Sequence, residues 1–170
     1  IVAAKTFHQY GIRFDCFEKG SGVGGNWRYN NDNGMSSAYR SLHINTNRMV
    51  MAYSDYPMPT EYPMFPHHSQ IIQYFDNYVD HFGFRDKITF NTGVTNVAPQ
   101  PDRDGGPGTY RVMTDSGLER TYRHVVVANG HHWNPRYPDP PFPGTFAGET
   151  LHSHYYKVPE QIRGKKLLIV

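Results

Sequence analysis

The sequence predicts an α/β fold built around one open-ended nucleotide-binding unit, and three observations predict it. Val2, Ala3, Thr6, Phe7 and Tyr10 recur at helical spacing, and Gly11 follows as a helix stop. Ile12 to Glu18 (IRFDCFE) is apolar and β-prone, so it reads as a strand that ends on a carboxylate. A helix, a glycine and a strand ending in an acidic residue form the back half of a β-α-β nucleotide-binding unit. The front half, with its glycine-rich phosphate turn, is expected before Ile1.

Composition agrees with this reading. The chain has 170 residues, a net charge of +2, 13 tyrosines and 10 phenylalanines, but only five leucines. That balance suits a loop-rich, aromatic-rich α/β body better than a helical bundle, and the low charge excludes the signature of disorder. Gly and Pro are abundant without a Gly-X-Y period, which excludes collagen. A single cysteine, Cys16, excludes an internal disulfide and suits a reducing compartment. No apolar run is long enough to span a membrane, and the basic residues form no nucleic-acid patch.

The remaining elements follow in order. Gly20 to Asn33 reads as a loop. Ser69 opens the clearest helix, with Ile71, Phe75, Tyr78, Val79 and Phe82 on one face and Gly83 as its stop. Ile88–Phe90 and Val94–Val97 read as short strands. Tyr110–Thr114 and Arg120–Tyr122 flank Asp115-Ser116-Gly117 as a hairpin. His124–Ala128 (HVVVA) reads as a buried strand. Asn134–Gly144, with five prolines, reads as an extended surface loop. Gly164 to Val170 reads as a turn and a buried strand cut off in mid-run. Together with Ile1 in first position, this makes the chain an expected internal piece of something larger.

Gly20-Ser21-Gly22-Val23-Gly24-Gly25 literally satisfies G-x-G-x-x-G, but the turn it suggests needs a helix immediately after it. Asn26 to Gly34 shows no helical periodicity. Glu18 is the better candidate, as a ribose hydrogen-bond acceptor at a strand end. Gly24 and Gly25 let a backbone approach a ligand closely, and Trp27 offers a wall with one donor. The histidine pairs His67-His68, His131-His132 and His152-x-His154 lack the spacing and accompanying ligands of a zinc site, so no metal is expected. Cys16 lies in a strand with nothing nearby to activate it, and reads as an inert thiol. The aromatics of Tyr53–Phe65 read as packing rather than a base-stacking platform, since no basic groove accompanies them.

Five motifs in order resemble the flavin-containing monooxygenase family. They are Phe17-Glu18-Lys19 with Gly24-Gly25-Asn26-Trp27; Tyr39 to Asn47 (YRSLHINTN) with Met51 to Pro59 (MAYSDYPMP); Tyr62-Pro63 and Phe65-Pro66 before the Ser69–Gly83 helix; Val125 to Gly130 (VVVANG); and Phe146-x-Gly148-x-x-x-His152-x-x-x-Tyr156. Tyr156-Lys157 favours this branch over the related Baeyer–Villiger enzymes, which usually carry Trp at that position. Asn129 departs from the Thr or Ser of many relatives.

The resemblance implies an incomplete FAD/NAD(P)-binding fold with two dinucleotide domains. Residues 1–163 would be a Rossmann-like FAD domain with a β-meander, lacking its first strand and phosphate turn. Residues 164–170 would be the first strand of the NADPH domain. It implies an FAD- and NADPH-dependent monooxygenase that oxygenates an amine nitrogen or sulfide sulfur through a flavin hydroperoxide. The alternatives are a Baeyer–Villiger enzyme acting on ketones and a non-enzymatic flavin-fold binding module. By resemblance, Glu18 and Lys19 would meet the adenosine ribose, and Val94 the adenine through its backbone. Gly24, Gly25, Asn26 and Trp27 would line the pyrophosphate and ring region. Asn45 and Thr46 would face the flavin, with Ile44 and Asn45 near the nicotinamide, and Asn45 would serve the oxygen step. Ala128-Asn129-Gly130 would form the crossing strand between the nucleotide domains, and His152 would link those domains. The implied partners are a small-molecule amine or sulfide and dioxygen, without nucleic acid or a transmembrane segment; a homo-oligomer is compatible, and the expected compartment is cytoplasmic. The 170 residues alone are expected to bind FAD poorly and to be inactive.

Overall fold

The computed structural model describes residues 1–102 and 108–170. In chain order its elements are α1 (Val2–Gln9), β1 (Cys16–Phe17), α2 (Arg48–Met51), α3 (His68–His81), β2 (Ile88–Thr89), β3 (Val94–Gln100), β4 (Thr109–Thr114) and β5 (Glu119–Tyr122). Single 3₁₀ turns cover Gly25–Trp27, Arg85–Lys87, Ser153–Tyr155 and Pro159–Gln161. The chain divides into two compact units. One holds Ile1–Val23 and Phe75–Asn129, the other Gly24–Tyr74 and Gly130–Val170, so α3 contributes to both.

In the first unit α1 ends at Gln9, and Gly11 follows at φ +65°, the left-handed conformation that glycine adopts without a Cβ penalty. β1 and β2 pair in parallel, Cys16 against Ile88 and Phe17 against Thr89. The predicted strand from Ile12 to Glu18 is therefore shortened. Its partner emerges only after the Arg85–Lys87 turn, and Ile12 is exposed. β3, β4 and β5 form an antiparallel meander, with a register irregularity between Val94 and Asn96. The expected hairpin is present, with Gly117 at φ +82°. Tyr78, Val79 and Phe84 are fully buried, and the rings of Tyr78 and Phe84 meet edge to face.

His124–Ala128 departs from its predicted strand. Among the described residues no strand pairs with it, and Val126 and Val127 are 59% and 74% exposed. An apolar run becomes a buried strand only where neighbouring strands take its backbone groups. The same correction holds in the second unit for the run after Gly164. The turn is there, with φ +74°, but Leu168, Ile169 and Val170 stand exposed outside any ladder.

In the second unit α3 begins at His68, one residue before the predicted start. The cap is His67, not Ser69: the His67 N–H donates to Gln70 Oε1 at 3.0 Å, while His67 Nδ1 meets Ser69 Oγ at 2.9 Å. The Ser69 N–H also reaches His67 Nδ1 at 3.3 Å, so the ring caps a first-turn donor and Gln70 reaches back as in one half of a capping box. Ile71 and Tyr74 are buried from this helix, together with Ala38, Ile44 and Met58. The proline-rich stretch runs as an irregular exposed segment, as expected.

Candidate functional site

The first unit carries Glu18, Lys19, Val94 and Asn129. Pairing continues past β1: the Glu18 N–H donates to Thr89 O at 3.0 Å, the Thr92 N–H to Glu18 O at 2.9 Å, and the Asn91 N–H to Gly20 O at 3.1 Å. The backbone of Glu18 is thus held at the strand end. Its side chain folds back, so that Oε1 accepts the Gly20 N–H at 2.7 Å. A carboxylate fixed by its own turn keeps Oε2 for a second donor, which is the chemistry a ribose diol needs. Val94 opens β3 and is 46% exposed. The residue before it is anchored by Asp115: the Gly93 N–H donates to Asp115 Oδ1 at 3.0 Å, and the Asp115 N–H to Gly93 O at 2.8 Å. A Cβ on Gly93 would lie 2.6 Å from Asp115 Oδ2, so any side chain there would push the Asp115 carboxylate aside. Asn129 is exposed and outside any strand. Burial is the main cause that pushes the Cys16 thiol up, which agrees with an inert cysteine.

The second unit carries Gly24, Gly25, Asn26, Trp27, Ile44, Asn45, Thr46 and Gly130. The glycine cluster makes no phosphate turn ahead of an α-helix. Gly24 at φ +117° caps the Gly25–Trp27 3₁₀ turn, and a Cβ there would collide with Ile72 Cδ1. A Cβ on Gly25, at φ +48°, would meet nothing within 4 Å, so its backbone faces open space. Asn26 is the most constrained member. Its Oδ1 accepts both the N–H and the hydroxyl of Ser37 at 2.8 Å, and its carbonyl accepts Ser36 Oγ at 2.7 Å. An amide N–H can only donate, so the orientation of the carboxamide is settled and Nδ2 remains for a ligand.

The alternation of apolar and polar residues over Ser41–Asn47 would suit a strand with two faces, but the segment does not run as one. Only His43 bridges, to His67, and the Ile44 N–H donates to Pro66 O at 3.0 Å. Ile44 is 4% exposed and belongs to the core. Asn45 and Thr46 form an exposed bend, with Thr46 Oγ1 3.5 Å from Asn45 Oδ1. Asn47 is a helix cap, accepting the N–H groups of Met49 and Val50 at 3.0 Å each. Gly130 has φ +69°, and its carbonyl lies 3.3 Å from Trp133 Nε1. His152 caps the Ser153–Tyr155 turn through Nδ1, and its Nε2 lies 3.2 Å from Arg136 O. His68 is buried with Nδ1 unpartnered; burial and then the neighbouring His67 lower its pKa. Among the described residues no three His, Cys, Asp or Glu side chains gather as a metal site, and no helix is long and apolar enough to cross a membrane.

Taken unit by unit, the first offers a braced carboxylate with one open oxygen, and the second an open glycine backbone and a carboxamide turned to donate, each a chemistry that a dinucleotide's ribose or phosphate accepts. Sequence reasoning passed over Ser36, Ser37 and Asp115, which brace Asn26 and Gly93. Short polar residues in loops carry no periodic signal, and their partners lie 10 to 22 residues away.

A family model described as flavin-binding monooxygenase-like matches residues 2–170. Flavin-containing monooxygenase 5 of Rattus norvegicus is 39% identical over 177 aligned residues, which cover the whole of this chain and 33% of that protein. The S-allyl-L-cysteine S-oxygenase of Allium sativum superposes with a TM-score of 0.78 at 30% identity, over 95% of this chain and 40% of that one. A steroid monooxygenase bound to NADP superposes with a TM-score of 0.62 at 29% identity, over 76% and 23%. The chain thus spans about a third of the length of the curated relatives it matches, and the expected α/β nucleotide-binding fold is borne out.

Proposed function

The chain belongs to the flavin-binding monooxygenase-like family, and from that premise we propose that it supplies part of the FAD site of an NADPH-dependent monooxygenase acting on a soft nucleophile, a sulfide sulfur or an amine nitrogen. The observation that carries the cofactor assignment is Glu18, whose Oε1 is tied to the Gly20 N–H at 2.7 Å while Oε2 stays available at the end of a parallel strand. Glu18 would accept the ribose hydroxyls, with Lys19 beside it and the Val94 backbone toward the adenine. Gly24 and Gly25 would admit the pyrophosphate, Asn26 would donate to it through Nδ2, and Trp27 would wall the region. Asn45 and Thr46 would face the ring system, with Ile44 packed beneath them. Asn129 and Gly130 would lie in the crossing between the nucleotide domains, the second of which would begin within residues 164–170.

Bound FAD would supply the redox and dioxygen chemistry, with NADPH as the hydride donor. What this chain adds is placement and polarity. Asn45 offers a donor and an acceptor at any ordinary pH without titrating, so it can orient an oxygen ligand without releasing a proton to it. A histidine there would titrate near neutrality.

A sulfur-oxidising structural relative, the garlic S-oxygenase, favours a sulfide among the substrates. The test is to purify the full-length protein that carries this chain and record its visible spectrum. NADPH consumption is then measured with a dialkyl sulfide, a tertiary amine and a cyclic ketone. Flavin absorbance with sulfoxide or N-oxide as product is expected. Ester from the ketone alone would move the assignment to Baeyer–Villiger chemistry, and a colourless protein would leave only a binding module.

A further inference from the structure

We propose that Lys157 is a positioning residue for the FAD site: through the Ser36–Ala38 strip it holds Asn26 with its amide donor turned toward the cofactor. The inference rests on the FAD reading above and goes beyond it, because Lys157 itself is placed against backbone, not ligand.

The Lys157 ammonium donates to Ser36 O at 2.5 Å and to Ala38 O at 3.3 Å. Among the described residues no carboxylate pairs with it, and burial lowers its pKa. A cation withdrawn from water onto two neutral carbonyls is costly on its own account. Its consequence is to fix two carbonyls of a loop that has no ladder of its own. That loop is held from the other side by Asn26: Ser36 Oγ donates to Asn26 O at 2.7 Å while accepting the Ala38 N–H at 3.1 Å, and the N–H and hydroxyl of Ser37 both reach Asn26 Oδ1 at 2.8 Å. The strip is therefore clamped between Lys157 and Asn26.

Three further contacts set Lys157 in place. The Arg40 N–H donates to Lys157 O at 2.8 Å, the Arg40 guanidinium pairs with Glu160 at 3.0 Å, and the rings of Tyr39 and Tyr156 lie 5.4 Å apart. All of these residues belong to the same unit. With the clamp released, the Asn26 carboxamide is free to turn over and present its oxygen where a donor is needed, and a phosphate repels that oxygen.

The experiment uses the full-length protein, with Lys157→Met, Lys157→Arg, Asn26→Ala and the Lys157→Met/Asn26→Ala pair. Three quantities are read: the FAD dissociation constant, the visible circular dichroism of bound flavin, and the thermal midpoint of the apoprotein. Lys157→Met is expected to weaken FAD by about tenfold, the equivalent of one oriented hydrogen bond to a charged group, and to alter the flavin dichroism. Lys157→Arg should recover most of the affinity, and the double variant should bind no worse than the weaker single one. Should Lys157→Met fail to fold, Ser37→Ala interrogates the same clamp by removing one hydroxyl, with the same direction expected. A lowered apoprotein midpoint with unchanged FAD affinity and dichroism overturns the proposal, and so do additive losses in the pair. A wild-type protein with no affinity for FAD overturns the FAD reading and this inference with it.

Discussion

The Tyr122 hydroxyl donates to Asp15 Oδ2 at 2.5 Å, and Arg120 Nη1 reaches the same oxygen at 2.9 Å. Within the first unit this joins the chain entering β1 to the last strand of the meander, 107 residues away. The Tyr122 bond, then Arg120, holds the Asp15 carboxyl below its usual range. Burial, then Asp15, pushes Tyr122 up to about 12.

These shifts define two pH windows. Asp15 is depressed in the folded state, so its stabilisation is present above the ordinary carboxylate range and is lost as pH falls through the folded value. Tyr122 is raised, so its stabilisation is complete below its ordinary value of 10 and is lost as pH rises toward about 12. Thermal midpoints measured across pH should fall at both ends. Asp15→Asn should flatten the acid limb and Tyr122→Phe the alkaline limb. An alkaline limb unchanged in Tyr122→Phe would refute the assignment.

Glu18→Gln should weaken FAD binding in the full-length protein while leaving its thermal midpoint near wild type. Glutamine keeps an oxygen for the Gly20 N–H, so the turn survives while the charged acceptor is lost. The expected loss is roughly 1.5–3 kcal/mol of binding free energy, read by FAD titration. An unchanged dissociation constant would make Glu18 an ordinary solvated strand end.

Asn45→Ala in the full-length protein should still consume NADPH but release hydrogen peroxide in place of oxygenated product. By analogy with single oriented donors, the oxygen-transfer rate should drop about 10²–10³-fold. Asn47→Ala is not a clean control, because it removes the cap of α2 at a cost of about 1 kcal/mol. Asn47→Asp retains the cap and should stay coupled. The ratio of peroxide to product decides, and a fully coupled Asn45→Ala would end the assignment.

Tyr74→Phe should destabilise the protein without touching any candidate site residue. The Tyr74 hydroxyl donates to Tyr56 O at 2.5 Å and accepts the Tyr53 N–H at 2.8 Å, and the residue is 1% exposed. Removing the hydroxyl strands a donor and an acceptor, for about 1–3 kcal/mol. A denaturation midpoint equal to wild type would show that the neighbouring backbone finds other partners.

Local patterns were legible in the amino-acid order alone. The periodicity of α1 and α3, the glycines that end them, the Asp115–Gly117 hairpin and the acidic end of β1 are each encoded within a few residues, where steric and hydrogen-bonding preferences act. Glu18 could be singled out for that reason, and so could the false promise of the Gly20–Gly25 cluster. Tertiary structure alone decided the rest. The Val125–Val127 run has the composition of a strand, yet it stays exposed because a strand exists only where a partner takes its backbone groups. Asn45 and Asn47 look alike in sequence, but one lies in an exposed bend and the other caps a helix. Lys157 acquires a role only because the chain returns it to Ser36, 121 residues earlier. No local preference can encode a partner at that separation, since the choice depends on the path of all the chain between them.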